Sequence, residues 1–397
     1  MNRLFLFSFL FLLCITGFAQ QELAGGRNAV QLESPVVNPN NSVTFNFLAP
    51  NAQSVSIVGD VMRGLGVEGQ GVNLVKGENG VWTYTSAPMP SDLYTYSFMV
   101  DGVRTLDPNN VYVNRDVATI TNMLIVGNGI GDLYKVNKVP HGTVIKTWYQ
   151  SPTSPGATLR RITIYTPPGY ETSGQSYPVF YLLHGIGGDE EAWITQGRTA
   201  QILDNLIAQG RAIPMIVVMT NGNISEEAAP GETSAGMLKP TMGLPLTMEG
   251  SFESAFPDII KFVESTFRVK ADKANRAIAG LSMGGFHTLH ISRYYPNTFD
   301  YIGLFSAAIM APRAQGNDQQ NKIYDNFVPT LQTQNRNGYK LYWIGMGKTD
   351  FLFQSSVDFR KQLDEIGMKH IYRESEGGHT WTNWRLYLTE FTPLLFK

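Results

Sequence analysis

The chain has 397 residues, with 31 basic against 33 acidic side chains, a formal net charge of −2, and 43% hydrophobic residues. The balanced charge and the lack of any basic run argue against nucleic acid or an anionic membrane surface as a partner. A single cysteine, Cys14, excludes a disulfide framework and any cysteine-based metal site.

The first 19 residues read as an export signal. Asn2-Arg3 supplies a positive start, Leu4 to Ile15 an apolar core, and Gly17-Phe18-Ala19 the small residues of a cleavage site after Ala19. Leu13 precedes Cys14 where a lipoprotein signal would place a small residue, so ordinary cleavage is expected. The apolar run is too short for a membrane span. An exported chain without disulfides suggests a periplasmic or secreted location.

Residues 20–34 read as a linker and 35–127 as an all-β module. Val43-Thr44-Phe45-Asn46-Phe47 and Ser54-Val55-Ser56-Ile57-Val58 alternate with period two. Val81 to Thr85 follows a turn, and Tyr94 to Val100 runs into the hairpin signal Asp101-Gly102. Short strands at this spacing predict a β-sandwich. Its aromatics Trp82, Tyr94, Tyr96 and Phe98 read as core or interdomain packing, with a glycan platform as the alternative.

Residues 128–143 are a connector, and from 144 to 397 the pattern changes. Apolar strands at Val179 to Leu183, Met215 to Met219, Ala277 to Ala279 and Leu341 to Gly345 alternate with helical patterns at Ala200 to Gln209, Ser254 to Phe267 and Ser355 to Ile366. That alternation predicts an α/β domain with a mostly parallel sheet covered on both faces. Residues 222–250 have little regular pattern, so a binding loop or lid and a plain surface insertion both stay open.

Gly280-Leu281-Ser282-Met283-Gly284 is a Gly-x-Ser-x-Gly motif between an apolar strand and a helix. This is the setting of a nucleophile elbow, in which a sharp turn exposes the serine hydroxyl. A serine needs a base, and the base an orienting acid. In this architecture both follow the nucleophile in the chain, acid first. His379 lies in the loop Glu376-Gly377-Gly378-His379 after the strand His370 to Glu374, and Asp350 ends the segment Leu341 to Asp350. His184 and His141 lie upstream, His287 and His290 point down the elbow helix, and His370 sits at a strand edge. The oxyanion hole is expected from the backbone N–H of Met283 and of Ile186, with Gly185 or Gly187 as alternatives to Ile186. Trp193, Trp381 and Gly185 are candidate substrate contacts; packing against a helix is the other reading of Trp193, and Trp384 reads as core. Met242 and Met248 are candidate walls for an acyl group. This chemistry calls for no metal and no cofactor.

These pieces, with Tyr165-Thr166-Pro167-Pro168-Gly169-Tyr170 and Leu182-Leu183-His184-Gly185, resemble carbohydrate esterase family 1, the feruloyl and acetylxylan esterases. The resemblance covers residues 140 to 397 and implies an α/β-hydrolase fold. It also implies a serine esterase acting on acylated polysaccharide such as xylan, feruloyl favoured over acetyl. Val58-Gly59-Asp60, Gly80-Val81-Trp82 and Tyr96 to Gly102 resemble the early-set modules grouped with family 48 carbohydrate-binding modules. Alternatives are a siderophore esterase of the enterochelin type, a peptidase on the same scaffold, and a non-catalytic glycan-binding protein.

Overall fold

The computed structural model describes residues 32–67, 71–309 and 322–397. The expected export signal with Cys14, and most of the expected linker, lie outside the described residues.

Among the described residues ten strands build the N-terminal part: β1 (Val36–Val37), β2 (Val43–Leu48), β3 (Val55–Val58), β4 (Val72–Asn73), β5 (Val75–Lys76), β6 (Val81–Thr85), β7 (Asp92–Val100), β8 (Val103–Thr105), β9 (Val113–Asp116) and β10 (Thr119–Val126). They form two antiparallel sheets, β1-β2-β6-β5 and β4-β3-β7-β10-β9, with β8 on β7. The short helix α1 (Val61–Leu65) follows β3. The inward residues interleave into one core, where Phe45 meets Tyr96 edge-on at 5.2 Å and Phe47 meets Phe98 at 4.7 Å. Trp82, Tyr94, Tyr96 and Phe98 are all buried there. They hold the sandwich together and offer no exposed ring to a glycan.

The rest of the chain carries an eight-stranded sheet: β11 (Thr143–Gln150), β12 (Leu159–Thr166), β13 (Val179–Leu183), β14 (Ile216–Thr220), β15 (Arg276–Leu281), β16 (Tyr301–Phe305), β17 (Leu341–Gly347) and β18 (Ile371–Ser375). The spatial order is β11-β12-β14-β13-β15-β16-β17-β18, parallel from β14 to β18, with β11 and β12 antiparallel at one edge. The helices are α2 (Tyr170–Ser173), α3 (Ala192–Thr195), α4 (Thr199–Ala208), α5 (Ser251–Thr266), α6 (Met283–Tyr294), α7 (Phe327–Asn337), α8 (Phe353–Glu365) and α9 (Trp381–Phe391). The central strands are almost wholly apolar because both of their faces are buried. Tyr181, Ile278, Ile302 and Ile344 pack one way, onto Phe256 and Leu289. Phe180, Ala279, Phe305 and Trp343 pack the other way, onto Tyr387, Leu388 and Phe391. This is the α/β-hydrolase architecture that the strand pattern predicts.

The two parts are docked. Leu93, Met123 and Ile125 of the sandwich join the apolar layer that contains Trp193 and Phe305. Arg385 on α9 donates to the Leu93 carbonyl at 2.9 Å, and Arg63 donates to Thr382 Oγ1 at 2.9 Å. The connector is stapled to α4. Asn205 Nδ2 donates to the Leu133 and Lys135 carbonyls, and Asp204 accepts from the Gly142 N–H and the Tyr165 hydroxyl while pairing with His141. No described helix is long and apolar enough to cross a membrane.

Candidate active site

Ser282 sits between β15 and α6 with φ 51° and ψ −113°. A residue with a side chain holds such a backbone only where its surroundings enforce it. Here its N–H donates to the Phe305 carbonyl at 2.9 Å, and its own carbonyl accepts from the Ala308 and Phe286 N–H groups at 3.0 Å each. The glycines around it are a steric requirement. A Cβ on Gly280 would lie 2.3 Å from the Gly284 carbonyl oxygen, and one on Gly284 would lie 2.4 Å from that of Leu183. The turn thus aims the N-terminus of the twelve-residue α6, beginning at Met283, at the space beside the hydroxyl.

Asp350 follows β17, and its carboxylate accepts from His379 Nδ1 at 2.9 and 3.1 Å. The Leu352 N–H donates to the same carboxylate at 2.9 Å. Burial alone would raise the Asp350 pKa, but these hydrogen bonds outweigh it and hold the carboxyl below the usual range. An ionised Asp350 fixes the ring of His379 and its tautomer, with Nε2 left for other work. Phe351 lies against one side of that ring at 4.6 Å and Trp384 meets it edge-on at 5.0 Å.

His184 lies under the loop after β13. Its Nε2 accepts from the Gly222 N–H at 2.8 Å, so Nδ1 carries the proton and donates to the Gly185 carbonyl at 2.7 Å. Burial pushes the imidazole pKa down to about 4, so the ring is neutral around pH 7. The Gly188 N–H donates to the same Gly185 carbonyl. Across a trans peptide the C=O and N–H point opposite ways, so this pinning turns the Ile186 N–H away from His184.

A cavity of about 200 Å³ brings together Ser282, His379, Gly185 and Ile186, with walls of Trp381, Trp384, Met242, Leu281 and Val117. The structure places two sequence candidates elsewhere. Trp193 does not line this cavity: it is 1% exposed, its Nε1 donates to the Leu183 carbonyl, and its ring backs Trp381 at 5.2 Å. Of its two readings, packing is the one realised, because the indole is committed to the strand beneath it. Met248 packs beside Phe286 and Met346, so Met242 alone of the two methionines reaches the cavity. Met283 is buried, as a residue that offers only its backbone can be.

Sequence reasoning missed Phe351 and Val117; Trp384 is core, as it reads from the sequence, and also lines the cavity. Phe351 is the immediate neighbour of Asp350, a signal that was available. Val117, at φ 50° in the turn between β9 and β10, comes from the N-terminal module, and no local pattern announces it. Among the described residues no group of three or more His, Cys, Asp or Glu side chains is arranged to hold a metal ion.

Comparison with known proteins bears on both parts of the chain. Residues 157–395 match the family model described as "Putative esterase", and residues 31–113 match Carbohydrate-binding module 48 (Isoamylase N-terminal domain). An endo-1,4-beta-xylanase/feruloyl esterase of Xylanibacter ruminicola is 31% identical over 372 residues, which cover 92% of this chain and 46% of that protein. An acetyl esterase of Caldicellulosiruptor saccharolyticus is 23% identical, over 55% of this chain and 83% of its own length. The chain therefore spans about half of the first of these relatives. Among solved structures, a carbohydrate esterase family 1 ferulic acid esterase from Anaeromyces mucronatus superposes with a TM-score of 0.51 at 24% identity, over 66% of this chain and 93% of its own. An enterobactin esterase from Shigella flexneri superposes with a TM-score of 0.61 at 16% identity, over 89% of this chain and 92% of its own. At such identities the likeness establishes the fold, which in the second case extends across both parts.

Proposed function

Since the chain belongs to the Putative esterase family, we propose that it is an exported serine esterase that removes feruloyl groups, or failing that acetyl groups, from plant cell-wall polysaccharide such as xylan. The observation that carries the reading is the contact of His379 Nδ1 with the Asp350 carboxylate at 2.9 Å, on a ring that shares one cavity with Ser282.

In this reading Ser282 Oγ attacks the ester carbonyl while His379 Nε2 takes the hydroxyl proton. Asp350 holds the imidazole and stabilises its protonated form without taking the proton itself. The N–H groups of Met283 and Ile186 donate to the oxyanion of the tetrahedral intermediate. Collapse breaks the bond to the sugar oxygen, which leaves with the proton from His379. Water then attacks the acyl-serine with His379 again as base, and the acid departs.

The acyl group sits in the cavity walled by Trp381, Trp384, Met242 and Val117. An apolar space of about 150 Å³ accepts a benzene molecule, so a cavity of about 200 Å³ that opens to solvent suits an aryl acyl chain. The name of the Xylanibacter relative points the same way.

The test is hydrolysis by residues 20–397 of methyl ferulate, acetylated xylan and a simple aryl acetate, with Ser282→Ala alongside. Ferulate turnover that the variant loses supports the reading. Preference for acetyl esters moves the acyl assignment to acetyl. Turnover that survives in Ser282→Ala, or activity confined to a catecholate trilactone or a peptide, overturns it.

A further inference from the structure

Val117 lines the Ser282 cavity from the tip of the β-module, and it does so in a backbone conformation that its own side chain disfavours. It is the first residue of the two-residue turn between Asp116 and Thr119, which pair where β9 and β10 meet. Its φ is 50°, and among the described residues it is the one β-branched residue with a positive φ. A hairpin turn with that backbone ordinarily places Gly, Asn or Asp there, because a branched Cβ crowds the carbonyl beside it. Turn formation alone does not account for a valine at this position.

The surroundings hold the strain. Arg115 Nη1 donates to the Val117 carbonyl at 3.1 Å, and Nη2 of the same guanidinium pairs with Asp189 on the loop after β13. The isopropyl group is pressed against that loop at Gly187. A Cβ on Gly187 would lie 2.6 Å from Val117 Cγ2, 3.4 Å from Val117 Cγ1 and 3.2 Å from Met242 Cγ. The glycine thus leaves room for two side chains from distant parts of the chain, one from the module turn and one from the irregular segment 222–250. Both line the cavity beside Ile186 and Ser282. Backbone strain that persists at such a place points to a role for the side chain it holds there.

In the esterase reading above, on which this inference rests, the cavity takes the acyl group. Ser282, His379 and the backbone N–H groups treat every ester carbonyl alike, so the choice among acids falls to the apolar walls. Trp381 and Trp384 are fixed by packing, edge-on to each other at 5.2 Å and against the apolar layer of the hydrolase. Val117 and Met242 belong to neither the central sheet nor its helices. We propose that Val117 is a specificity-determining residue. Together with Met242 it forms a stop that bounds the acyl group, and its two methyl groups admit a phenylpropenoyl ring with one methoxy substituent and reject a ring with two. The β-module thereby takes part in the choice of acid, through a residue that glycine could replace without harm to the turn.

The experiment measures kcat/KM of the wild type, Val117→Ala and Val117→Gly on methyl ferulate, on methyl sinapate, which adds one methoxy group, and on an aryl acetate. The expected result is a wild-type preference for ferulate over sinapate that falls about ten-fold in Val117→Gly and less in Val117→Ala, the scale of discrimination that one or two methyl groups give in an apolar pocket. Thermal unfolding should show no loss of stability in Val117→Gly, because glycine takes this φ without strain. An unchanged ratio, or a wild type that turns over both aryl esters equally well, overturns the proposal. So does an equal loss on all three esters, which would make Val117 a mere support for the loop at Gly187, and so does a changed ratio with a marked loss of stability, which would mean a collapsed wall. Failure of the feruloyl reading shows separately, as a wild-type preference for the acetate; a gain of the larger esters over acetate in Val117→Gly still supports the stop. If no ester is turned over, titration of the Ser282→Ala protein with methyl ferulate and methyl sinapate decides. Tighter sinapate binding in Ser282→Ala/Val117→Gly supports the stop, and binding that is absent or unaltered overturns it.

Discussion

In the hydrolase part, the residues at the cleft stand at the carboxyl ends of central strands. Ser282 follows β15 and Asp350 follows β17, with apolar layers on both faces of the sheet and glycines that admit no other packing. In the β-module, the cleft residues come from an edge hairpin, β9 and β10. That hairpin is held to the hydrolase by a few long-range contacts, of which Arg115 to Asp189 is one. The first arrangement is over-determined and local. The second depends on how two independently packed cores meet, so its tolerance to change should be wider and its effects smaller.

The largest expected effect tests the hydrolase side. Asp350→Asn should keep the fold and lower kcat by about 10³- to 10⁴-fold, because an amide in place of the carboxylate leaves His379 in the wrong tautomer. Steady-state kinetics with a matched circular dichroism spectrum would check it, and a loss under ten-fold would remove Asp350 from the orienting role. Next comes Gly284→Ala. Its Cβ would meet the Leu183 carbonyl oxygen at 2.4 Å, backbone against backbone, and denaturant unfolding should show about 3 kcal/mol of destabilisation.

Two buried groups near the loop after β13 respond to pH in opposite directions. Burial and the adjacent Asp189 push the Glu190 carboxyl up to about 7, so its folded form holds a proton that the unfolded chain releases, and stability falls as pH rises towards 7. Burial pushes the His184 imidazole down to about 4, so the unfolded chain binds the proton first and stability rises between pH 4 and 6.5. In the wild type the two slopes nearly offset. Glu190→Gln should expose the histidine slope, a gain of about 2 kcal/mol between pH 5 and pH 6.5, read from unfolding at several pH values. A flat profile in the variant would contradict it.

The smallest effect tests the module side. Arg115 spans the interface to Asp189, whose other carboxylate oxygen accepts from the Glu191 N–H. Arg115→Ala should cost about 1 kcal/mol, since the arginine is partly exposed and the sandwich core is untouched. A loss as large as that from Gly284→Ala would erase the distinction between the two halves.

The same distinction accounts for what the sequence made legible. The β13 strand, the elbow and the loops bearing Asp350 and His379 were readable, because each is a short apolar run closed by glycines or a turn. The strand β16 and the helices α7 and α9 were not. In Trp381–Phe391 the aromatic and β-branched residues are weak helix formers, and packing of Trp384, Tyr387 and Phe391 decides the outcome. Val117 was out of reach for a different reason. Alternation along β9 tells which face a residue occupies but not that a second core lies opposite. The roles of His184 and Trp193 also depend on such partners, the Gly222 N–H and the Leu183 carbonyl.

The staple between the connector and α4 bears on how such a protein can be rebuilt. Asn205 and Asp204 hold backbone groups of residues 133–142 from inside the hydrolase, so the sandwich is not a bead on a string. Grafted as a cassette onto another hydrolase, it would arrive without its anchor points and swing free of the cleft. The transferable piece is the sandwich together with the connector, α4 and the first turn of α9, and a recombinant library should place its crossovers outside that block.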